Sequence, residues 1–464
     1  MKQTPFDTIA AISTPPGEGG IGIVRVSGDD AIEIVLRIFH PYRKSILLSK
    51  KPSFSMTLGM IRDGDRMVDE VLVSIMKKPH TYTREDVVEV NCHGGALAVN
   101  EVLKLVLAAG ARLAQPGEFT QRAYINGRID LLQAEAVLDI VRAKTYRALE
   151  AAVGQLEGRL SEKLHRLSDL LRQILVILEA NIDFAEEEDI ASLEYDKMKK
   201  ALLSAKGEIT SLLESFETGR IYKEGVFTVI VGKPNVGKSS IMNAFLKFDR
   251  AIVTPIPGTT RDVIEEQLNI EGVPFILADT AGITDTDNIV EKEGVHRSKT
   301  AIDSAGLLLV VFDNASEIDE RDLDIARRAN SIPHITVVNK VDLQTRIDLV
   351  ALTRQTGLDS TPIFLSAKYG TGLKELESRM LEMVRGGDAT GDYALMVTSR
   401  RHFDSLRRAR IEIENALEAI AEQREPELVA FDVKSVVDCL GEITGKVTNQ
   451  EVLESIFSDF CIGK

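Results

Sequence analysis

The stretch GKPNVGKS, residues 232–239, has the residue types and spacing of a loop that binds phosphate. It matches G-x-x-x-x-G-K-S/T and follows FTVIV, an apolar run typical of a strand. Its glycines allow backbone N–H groups to turn toward phosphate oxygens. Lys238 is placed to reach the β- and γ-phosphates, and the Ser239 hydroxyl is placed to bind Mg²⁺. Alone, so short a pattern has false positives.

Further motifs follow in the order of a GTP-binding domain. PGTTRD (257–262) brings a threonine loop that can close over the γ-phosphate, and DTAG (279–282) follows a strand and supplies a carboxylate near the metal. NKVD (339–342) offers a carboxylate that accepts from the guanine ring N–H and amine, a donor pair that adenine lacks. SAK (366–368) supports the base. The predicted nucleotide residues are Asn235, Val236, Gly237, Lys238, Ser239, Ser240, Pro257, Gly258, Thr259, Thr260, Asp279, Thr280, Ala281, Gly282, Asn339, Lys340, Asp342, Ser366, Ala367 and Lys368.

Mg²⁺ is predicted to bind Ser239 and Thr260, with Asp279 acting through water. The residue after DTAG is Ile283, where many GTPases have the glutamine that orients the attacking water. An isoleucine cannot orient water. The sequence therefore predicts either slow hydrolysis or a different set of groups that performs this step.

Length and composition indicate a soluble protein of several domains. At about 100–200 residues per domain, 464 residues predict about three domains. The net charge of −15 argues against a broad basic face for nucleic acid. Three widely spaced cysteines predict neither a disulfide framework nor a zinc site. The start MKQTPFDTIAAI lacks a signal-peptide pattern and no apolar run reaches about 18 residues, so we expect a cytoplasmic protein without a membrane span.

Hydrophobic patterning predicts two segments before the phosphate-binding loop. Residues 1–120 are predicted to be mixed α/β, with strands over 21–26 and 69–76 and a helix over 95–110. Residues 121–222 are predicted to be helical, because apolar residues recur at spacings of three and four. This stripe consists of Leu160, Leu164, Leu167, Leu171, Ile174 and Leu178.

Residues 223–384 alternate short apolar runs with helical stretches, which predicts a parallel α/β sheet. Residues 385–464 return to the helical pattern, with a stripe of Phe403, Leu406, Ile413, Leu417 and Ile420. The fold prediction is a multidomain chain in which a P-loop α/β domain is inserted between the two halves of an all-α domain. Two separate helical domains are the alternative.

Long phrases over the whole chain extend the similarity beyond GTP-binding domains in general. They are TPPGEGGIGIVRVSG, YTREDVVEVNCHGG and PGEFTQRAYINGRIDLLQAEAV in the first third, and CIGK at 461–464. With these phrases the chain resembles the MnmE (TrmE) family of tRNA modification GTPases. The resemblance implies an N-terminal α/β domain similar to the folate-binding domains of one-carbon enzymes, a helical domain and a Ras-like G domain.

The resemblance also implies a way to hydrolyse GTP without the glutamine. The family has no arginine finger, and a potassium ion bound where two G domains meet stabilises the transition-state charge instead. The implied ligands of this ion are Asn235, Thr254, Ile256 and Thr259, and Pro255 in the same loop is counted with the nucleotide-binding residues. Oxygen ligands suit a hard cation, so Ile256 would contribute its backbone carbonyl. The implied water-positioning residue is Glu291 in VEKEG (290–294), with Glu293 as the alternative by sequence.

For the N-terminal domain the resemblance implies a bound tetrahydrofolate derivative, in its methylene or formyl form. A carboxylate suits the amino-pyrimidine edge of the pterin, and cations suit the glutamate tail. The candidates by motif are Arg25, Glu85, Arg128 and Lys464. GEGGIG (17–22) also fits G-x-G-x-x-G, but it precedes a strand, so we predict a turn there and no dinucleotide site.

Cys461 has two interpretations. It is a catalytic thiol, which the resemblance suggests, or a small apolar side chain that docks with the end of the chain into a pocket, such as that of a second subunit.

Taken as a whole, the resemblance implies a homodimeric GTPase that dimerises through its N-terminal domains. With a flavin-dependent partner, MnmG (GidA), it would modify C5 of the wobble uridine of certain tRNAs, and the folate would supply the carbon. GTP hydrolysis would open and close paired G domains, and the partner would hold much of the tRNA. The alternatives are a GTP-switched assembly protein without one-carbon chemistry and a folate-dependent transferase that the G domain only regulates.

Overall fold

The structure is a computed structural model that describes residues 7–43, 48–183, 191–248, 265–279, 302, 304–358, 361–384 and 393–464. The chain forms two compact units. The first comprises Met1–Val141, Gln155–Lys206 and Arg408–Lys464, and the second comprises Arg142–Gly154 and Gly207–Arg407. Among the described residues, no helix combines the length and the apolar character needed to cross a membrane.

Thirteen strands lie within the described ranges. They are β1 (Ile9–Ile12), β2 (Gly19–Ser27), β3 (Phe39–Pro41), β4 (Ser55–Asp63), β5 (Arg66–Met76), β6 (Val87–Gly94), β7 (Arg112–Leu113), β8 (Val226–Val231), β9 (Glu265–Ile270), β10 (Val273–Asp279), β11 (Leu307–Asp313), β12 (His334–Asn339) and β13 (Ile363–Leu365).

The α-helices of the same ranges account for most of the remaining regular structure. They are α1 (Ala31–Leu36), α2 (Ala96–Ala108), α3 (Glu118–Ile125), α4 (Leu131–Arg142), α5 (Tyr146–Leu156), α6 (Arg159–Asp183), α7 (Ala191–Glu214), α8 (Phe216–Glu224), α9 (Lys238–Phe248), α10 (Glu320–Ala329), α11 (Leu349–Thr356), α12 (Leu373–Val384), α13 (Arg400–Ala421), α14 (Pro426–Thr444) and α15 (Gln450–Ser458).

The first unit contains a seven-stranded sheet in the order β3-β4-β5-β6-β2-β1-β7. Neighbours are antiparallel except β1 and β7. Along β5, Val71 and Val73 are buried whereas Glu70 and Leu72 are exposed, the alternation of a sheet covered on one face. The apolar residues of α1 and α2 complete the core on the covered face. The predicted strands over 21–26 and 69–76 and the predicted helix over 95–110 are confirmed.

Long helices make up the rest of the first unit. On α6 the predicted stripe is confirmed, because all six of its apolar side chains are buried. On α13, which enters the first unit at Arg408, the predicted stripe was partly wrong. Leu406 and Ile413 are buried, but Phe403, Leu417 and Ile420 are only half-buried. The buried face passes instead through the small residues Ala409, Ala416 and Ala419, whose size does not mark them as core residues in a sequence.

The second unit contains a six-stranded sheet in the order β13-β12-β11-β8-β10-β9. All neighbours are parallel except β9, which is antiparallel to β10 at the edge. Apolar clusters cover both faces, as parallel strands require. Successive strands are added on opposite sides of β8, so the sheet has its topological switch point there, where α/β proteins bind ligands.

Candidate functional site

The phosphate-binding loop connects β8 to α9 at the switch point of the sheet. Asn235 has a left-handed backbone with φ +66°, and Gly237 has φ +98°. A Cβ atom on Gly237 would lie 2.3 Å from the Asn339 side-chain nitrogen. Glycine is therefore required at 237 both for its backbone conformation and for the close approach of Asn339.

Lys238 is buried at the start of α9 and contacts its own loop. Its Nζ donates to the main-chain oxygens of Gly232 and Lys233, each at 3.0 Å. A phosphate oxygen carries more negative charge than a peptide carbonyl and forms stronger hydrogen bonds with an ammonium group. The Lys238 ammonium group thus lies within the loop, where a bound phosphate can attract it away from these two carbonyls.

Two predicted metal-site oxygens lie together beside this lysine. The Ser239 hydroxyl donates to Asp279 Oδ2 at 2.6 Å, which joins the start of α9 to the end of β10. Asp279 is buried, and its carboxylate is a hard oxygen donor of the kind that Mg²⁺ prefers. The pair fits an ion that takes one protein hydroxyl and reaches the carboxylate through water.

The NKVD motif joins the base side of the site to the phosphate side. Asn339 Nδ2 donates to the Val236 carbonyl at 2.9 Å, and Asn339 Oδ1 accepts from the Ala367 amide at 3.1 Å. Lys340 Nζ donates to the Asn235 carbonyl at 2.6 Å and to Asp313 Oδ2 at 2.7 Å. Motifs that lie over 100 residues apart in the sequence are therefore in direct contact.

Asp342 is prepared as an acceptor for a base. The Ser366 hydroxyl donates to Asp342 Oδ1 at 2.6 Å. This hydrogen bond is the largest cause that lowers the pKa of Asp342, and the charges of Lys368 and Lys340 add to it. The carboxylate is ionised at neutral pH and offers the two lone-pair positions that a ring N–H and an exocyclic amine require.

The sequence motifs did not identify two side chains that hold the loop. Lys233 pairs with Asp322 and Asp319 at the start of α10, and Asp313 pairs with Lys340. Several predicted residues fall outside the described part of the chain. These are Thr254, Pro255, Ile256, Pro257, Gly258, Thr259, Thr260, Thr280, Ala281, Gly282 and Glu291.

Two of the folate candidates lie beside one aromatic ring in the first unit. The guanidinium carbons of Arg25 and Arg128 are 5.7 Å and 4.6 Å from the centre of the Tyr82 ring. Arg25 also donates to Glu89 at 2.9 Å and contacts the Gly463 carbonyl at 3.4 Å. The structure thus brings Arg25, Arg128 and the CIGK segment into one neighbourhood.

Glu85, the third candidate, accepts hydrogen bonds from Ser27 at 2.7 Å and from Arg122 at 3.1 Å. Arg122 belongs to a partly buried ionic network, which we call the N-terminal ionic network. It consists of Asp7, Glu85, Arg112, Glu118 and Arg122. Its three carboxylates exceed its two guanidinium groups by one negative charge.

Residues 461–464 dock onto the first unit of the same chain, mainly through their backbone. The Phe119 amide donates to the main-chain oxygen of Lys464 at 3.1 Å, and Gly117 donates to that of Cys461 at 3.4 Å. Gly463 is buried, but the Cys461 side chain is exposed. Within this single chain the Cys461 side chain is therefore not docked into a pocket, and its docking into a second subunit stays a prediction.

A cavity of about 590 Å³ lies next to this segment. Ile12, Ile462 and the GEGGIG residues Gly17, Gly19 and Gly22 contribute to its lining. As expected, GEGGIG does not lie between a strand and a helix, but the predicted turn was wrong for Gly19–Gly22, because β2 already begins at Gly19. The four folate candidates are not among the lining residues of this cavity.

Comparison with known proteins gives consistent matches over the whole chain. The family described as MnmE helical domain matches residues 131–461, and the family described as GTP-binding protein TrmE N-terminus matches residues 8–128. A protein of Alkaliphilus oremlandii named tRNA modification GTPase MnmE is 47% identical over 460 residues, 99% of both chains. One of the same name from Thermoanaerobacter pseudethanolicus is 48% identical over 461 residues, 99% of this chain and 100% of the relative. The solved G domain of T. maritima FeoB covers 34% of this chain and 98% of its own, at 26% identity, but its TM-score of 0.27 is too low to bear on the fold.

Proposed function

Because the chain belongs to the MnmE family of tRNA modification GTPases, we propose that it binds and hydrolyses GTP in the course of tRNA modification. The observation that carries this proposal is the contact of Asn339 with both Val236 and Ala367, which unites the phosphate and base motifs in one site. Ser239 and Asp279 would hold Mg²⁺, with Thr260 as a further ligand. Asp342, ionised beside Ser366, would select guanine.

Potassium would replace the catalytic glutamine in this proposal. Asn235 is exposed on the phosphate-binding loop, where its side-chain oxygen is accessible to a cation. Its backbone is fixed by Lys340, which donates to the Asn235 carbonyl. The ion would neutralise charge that develops between the phosphates, together with the 254–259 loop. Glu291 would orient the attacking water.

The test measures GTP turnover in KCl and in NaCl at equal ionic strength over a range of protein concentrations. We expect faster turnover in KCl, increasingly so at high concentration, because the ion would bind where two G domains meet. Asn235→Ala and Glu291→Ala should each remove the gain. Asn415→Ala, at an exposed position on α13, is the matched control and should keep it. Equal rates in both salts would refute the potassium mechanism.

We propose that a tetrahydrofolate derivative, carrying a methylene or formyl group, binds near Glu85. The N-terminal ionic network has one carboxylate in excess, and Asp7 and Glu118 each bind both arginines. Glu85 contacts only one arginine and remains partly exposed, so its charge is the one that can receive the N–H groups of a pterin. Arg25, Arg128 and Lys464 would attract the glutamate tail.

Calorimetric titration with 5-formyltetrahydrofolate tests this site. Glu85→Gln should weaken binding by at least about tenfold, because one charged hydrogen-bond acceptor is lost. Glu70→Gln alters an exposed carboxylate of β5 that binds Tyr42, and it serves as the control. Equal affinities of Glu85→Gln and wild type would place the folate elsewhere, and the cavity beside Ile462 would be examined next.

A homodimer through the N-terminal domains is proposed from the uncovered face of β4 and β5. Leu58 and Leu72 are directly paired across these strands and are 49% and 41% exposed, and Met56 on the same face is 55% exposed. Exposed apolar side chains grouped in this way are typical of contact surfaces. Sedimentation equilibrium of Leu58→Asp should show weaker association than Leu97→Asp, an exposed position on α2. Equal association would refute this interface.

The domain arrangement and the RNA chemistry complete the proposal. The helical-domain family matches residues 131–461. In the sequence this span includes residues before and after the strands of the six-stranded sheet, which supports a G domain over 223–384 inserted between helical parts 121–222 and 385–464.

With a flavin-dependent partner, MnmG (GidA), the protein would modify C5 of wobble uridine, and Cys461 would act as a catalytic thiol. Cys461→Ser should then abolish modification in a reconstituted assay while GTP turnover persists. Full modification by Cys461→Ser would exclude the thiol.

A further inference from the structure

Lys233, the residue after the first glycine of the phosphate-binding loop, is held by two carboxylates outside that loop. Its Nζ lies 2.6 Å from Asp322 Oδ2 and 3.1 Å from Asp319 Oδ2. The side chains of Lys233 and Asp322 are 16% and 5% exposed. Burial alone would lower the pKa of Lys233, but the two carboxylates outweigh burial and raise it. The lysine is therefore charged at neutral pH.

The two carboxylates are themselves fixed by the start of α10. Asp319 is the N-cap, and its Oδ1 accepts from the amides of Arg321 and Asp322. Asp322 Oδ2 accepts in return from the Asp319 amide at 3.2 Å, which completes a capping box. The capping box thus orients Asp319 Oδ2 and Asp322 Oδ2 toward Lys233. The hydrogen bonds of the capping box itself do not involve Lys233.

The main chain around Lys233 is equally constrained. Its carbonyl accepts from Lys238 Nζ, the group expected to contact the phosphates. A Cβ atom on the preceding Gly232 would lie 2.5 Å from the Val311 carbonyl, so the loop leaves β8 in close contact with β11. Any shift of Lys233 would therefore move the lysine that binds phosphate and the N–H groups that follow it.

We propose that Lys233 is a positioning residue for the phosphate-binding loop, locked by Asp322 and Asp319 onto the start of α10. This inference rests on the proposed GTP site. The latch, defined as Lys233, Asp319 and Asp322, keeps the loop in the shape that surrounds the phosphates. The loop amides are expected to face the α- and β-phosphates, which GDP and GTP share, and Lys238 is expected to reach the β- and γ-phosphates. Loss of the latch therefore weakens both nucleotides, and it weakens GTP at least as much as GDP.

The experiment compares full-length wild type with Lys233→Met, Asp322→Asn and the double variant. Affinities for fluorescent GDP and for a non-hydrolysable GTP analogue are measured by titration, corrected for the fraction of active sites, beside the turnover number at saturating GTP and thermal unfolding. Each single variant should bind both nucleotides about tenfold more weakly, the size of one hydrogen bond to a charged group. A fall in turnover at saturating GTP with both affinities unchanged would overturn this role, because the loop would then act on hydrolysis and not on nucleotide binding.

Non-additivity is the decisive result. The double variant should lose no more affinity than Lys233→Met, because Lys233→Met already removes the contact with Asp322 together with that to Asp319. It also leaves fewer buried unpaired charges, so it remains informative if Lys233→Met folds poorly. Lys233→Arg should restore affinity to within about threefold, since a guanidinium can bind both carboxylates. Asp324→Asn, on the same helix but 63% exposed, is the control.

Affinities of all variants within twofold of wild type, or fully additive losses in the double variant, would overturn the latch. A fall in thermal stability without a change in affinity would also overturn it, because that result shows a purely structural role. Failure of the wild type itself to bind either nucleotide would refute the proposed nucleotide site and is a separate result.

Discussion

Replacement of Arg122 by methionine should weaken the first unit far more than replacement of a surface arginine. Arg122 has a side chain that is 10% exposed, and it contacts Asp7, Glu85 and Glu118. Methionine retains much of the volume but leaves three carboxylates to the single guanidinium of Arg112. Removal of one partner from a buried ionic network costs about 3–5 kcal/mol.

Hydrogen exchange read by mass spectrometry measures this loss in the intact chain. A local probe is appropriate because a chain of two units does not unfold as one transition. In Arg122→Met, amides of 118–125 and 85–94 should exchange at least about a hundredfold faster at pH 7.5, as a loss of about 3 kcal/mol requires. Arg66→Met removes an arginine that is 64% exposed and should change exchange by less than about threefold.

The pH dependence follows from the carboxylates of the network. The hydrogen bond from Arg112, aided by Arg122, lowers the pKa of Asp7. Burial alone would raise the pKa of Glu118, but Arg112, the Gln115 amide and Arg122 outweigh it and lower the pKa. Carboxylates with lowered pKa values stabilise the folded state above their unfolded pKa and cease to do so as pH falls through the folded value.

Without Arg122 the pKa values of Asp7 and Glu118 rise, because Arg122 contributes to lowering both, so protonation relieves part of the repulsion. The difference in protection between wild type and Arg122→Met should therefore be largest at pH 7.5 and smaller at pH 5, after correction for intrinsic exchange. Exchange within threefold of wild type at pH 7.5, or a difference that does not narrow at pH 5, would refute the reasoning from charge.

Three other changes test single contacts. Asp342→Asn should reduce GTP affinity at least about a hundredfold in a fluorescence titration. It should also favour xanthosine triphosphate, because the additional ring carbonyl of xanthine accepts a hydrogen bond from the asparagine amide. An unchanged preference for GTP over xanthosine triphosphate would contradict this role of Asp342. Gly237→Ala places Cβ 2.3 Å from Asn339 Nδ2 and should abolish nucleotide-induced thermal stabilisation, a prediction that normal stabilisation would exclude. Gly463→Ala places Cβ 2.2 Å from the Ile12 carbonyl and should accelerate amide exchange over 458–464, whereas wild-type protection would show that the segment tolerates the change.

The strands of the second unit were predictable where they are buried on both faces. LLLVVFD coincides with β11, because central parallel strands consist of continuous apolar residues. EEQLNI forms β9, which was missed, since an antiparallel edge strand is exposed on one side and tolerates polar residues. Several strands of the first unit were missed for the same reason, because one face of that sheet is open and apolar residues appear only at alternate positions.

The candidate site was predictable where short motifs fix the chemistry. The phosphate-binding loop and NKVD identified Lys238, Ser239 and Asp342, because each role requires particular residues at fixed spacing. Lys233 and Arg122 were missed. Their partners are 4 to 115 positions away with no constant interval, and an arginine or aspartate in a helix usually lies on a solvated surface. Only the folded chain brings such charges together.

The docking of residues 461–464 has a consequence for synthesis on the ribosome. The Arg25 side chain contacts the carbonyl of Gly463, which follows it by 438 residues. At about 5–20 residues per second, roughly 20–90 s separate the emergence of these two partners. The sheet that contains Arg25 must therefore spend most of translation without its last covering segment. Residues 461–464 therefore dock onto a surface that earlier parts of the chain have had time to form, and the contact of Arg25 with Gly463 is among the last of this unit to be made.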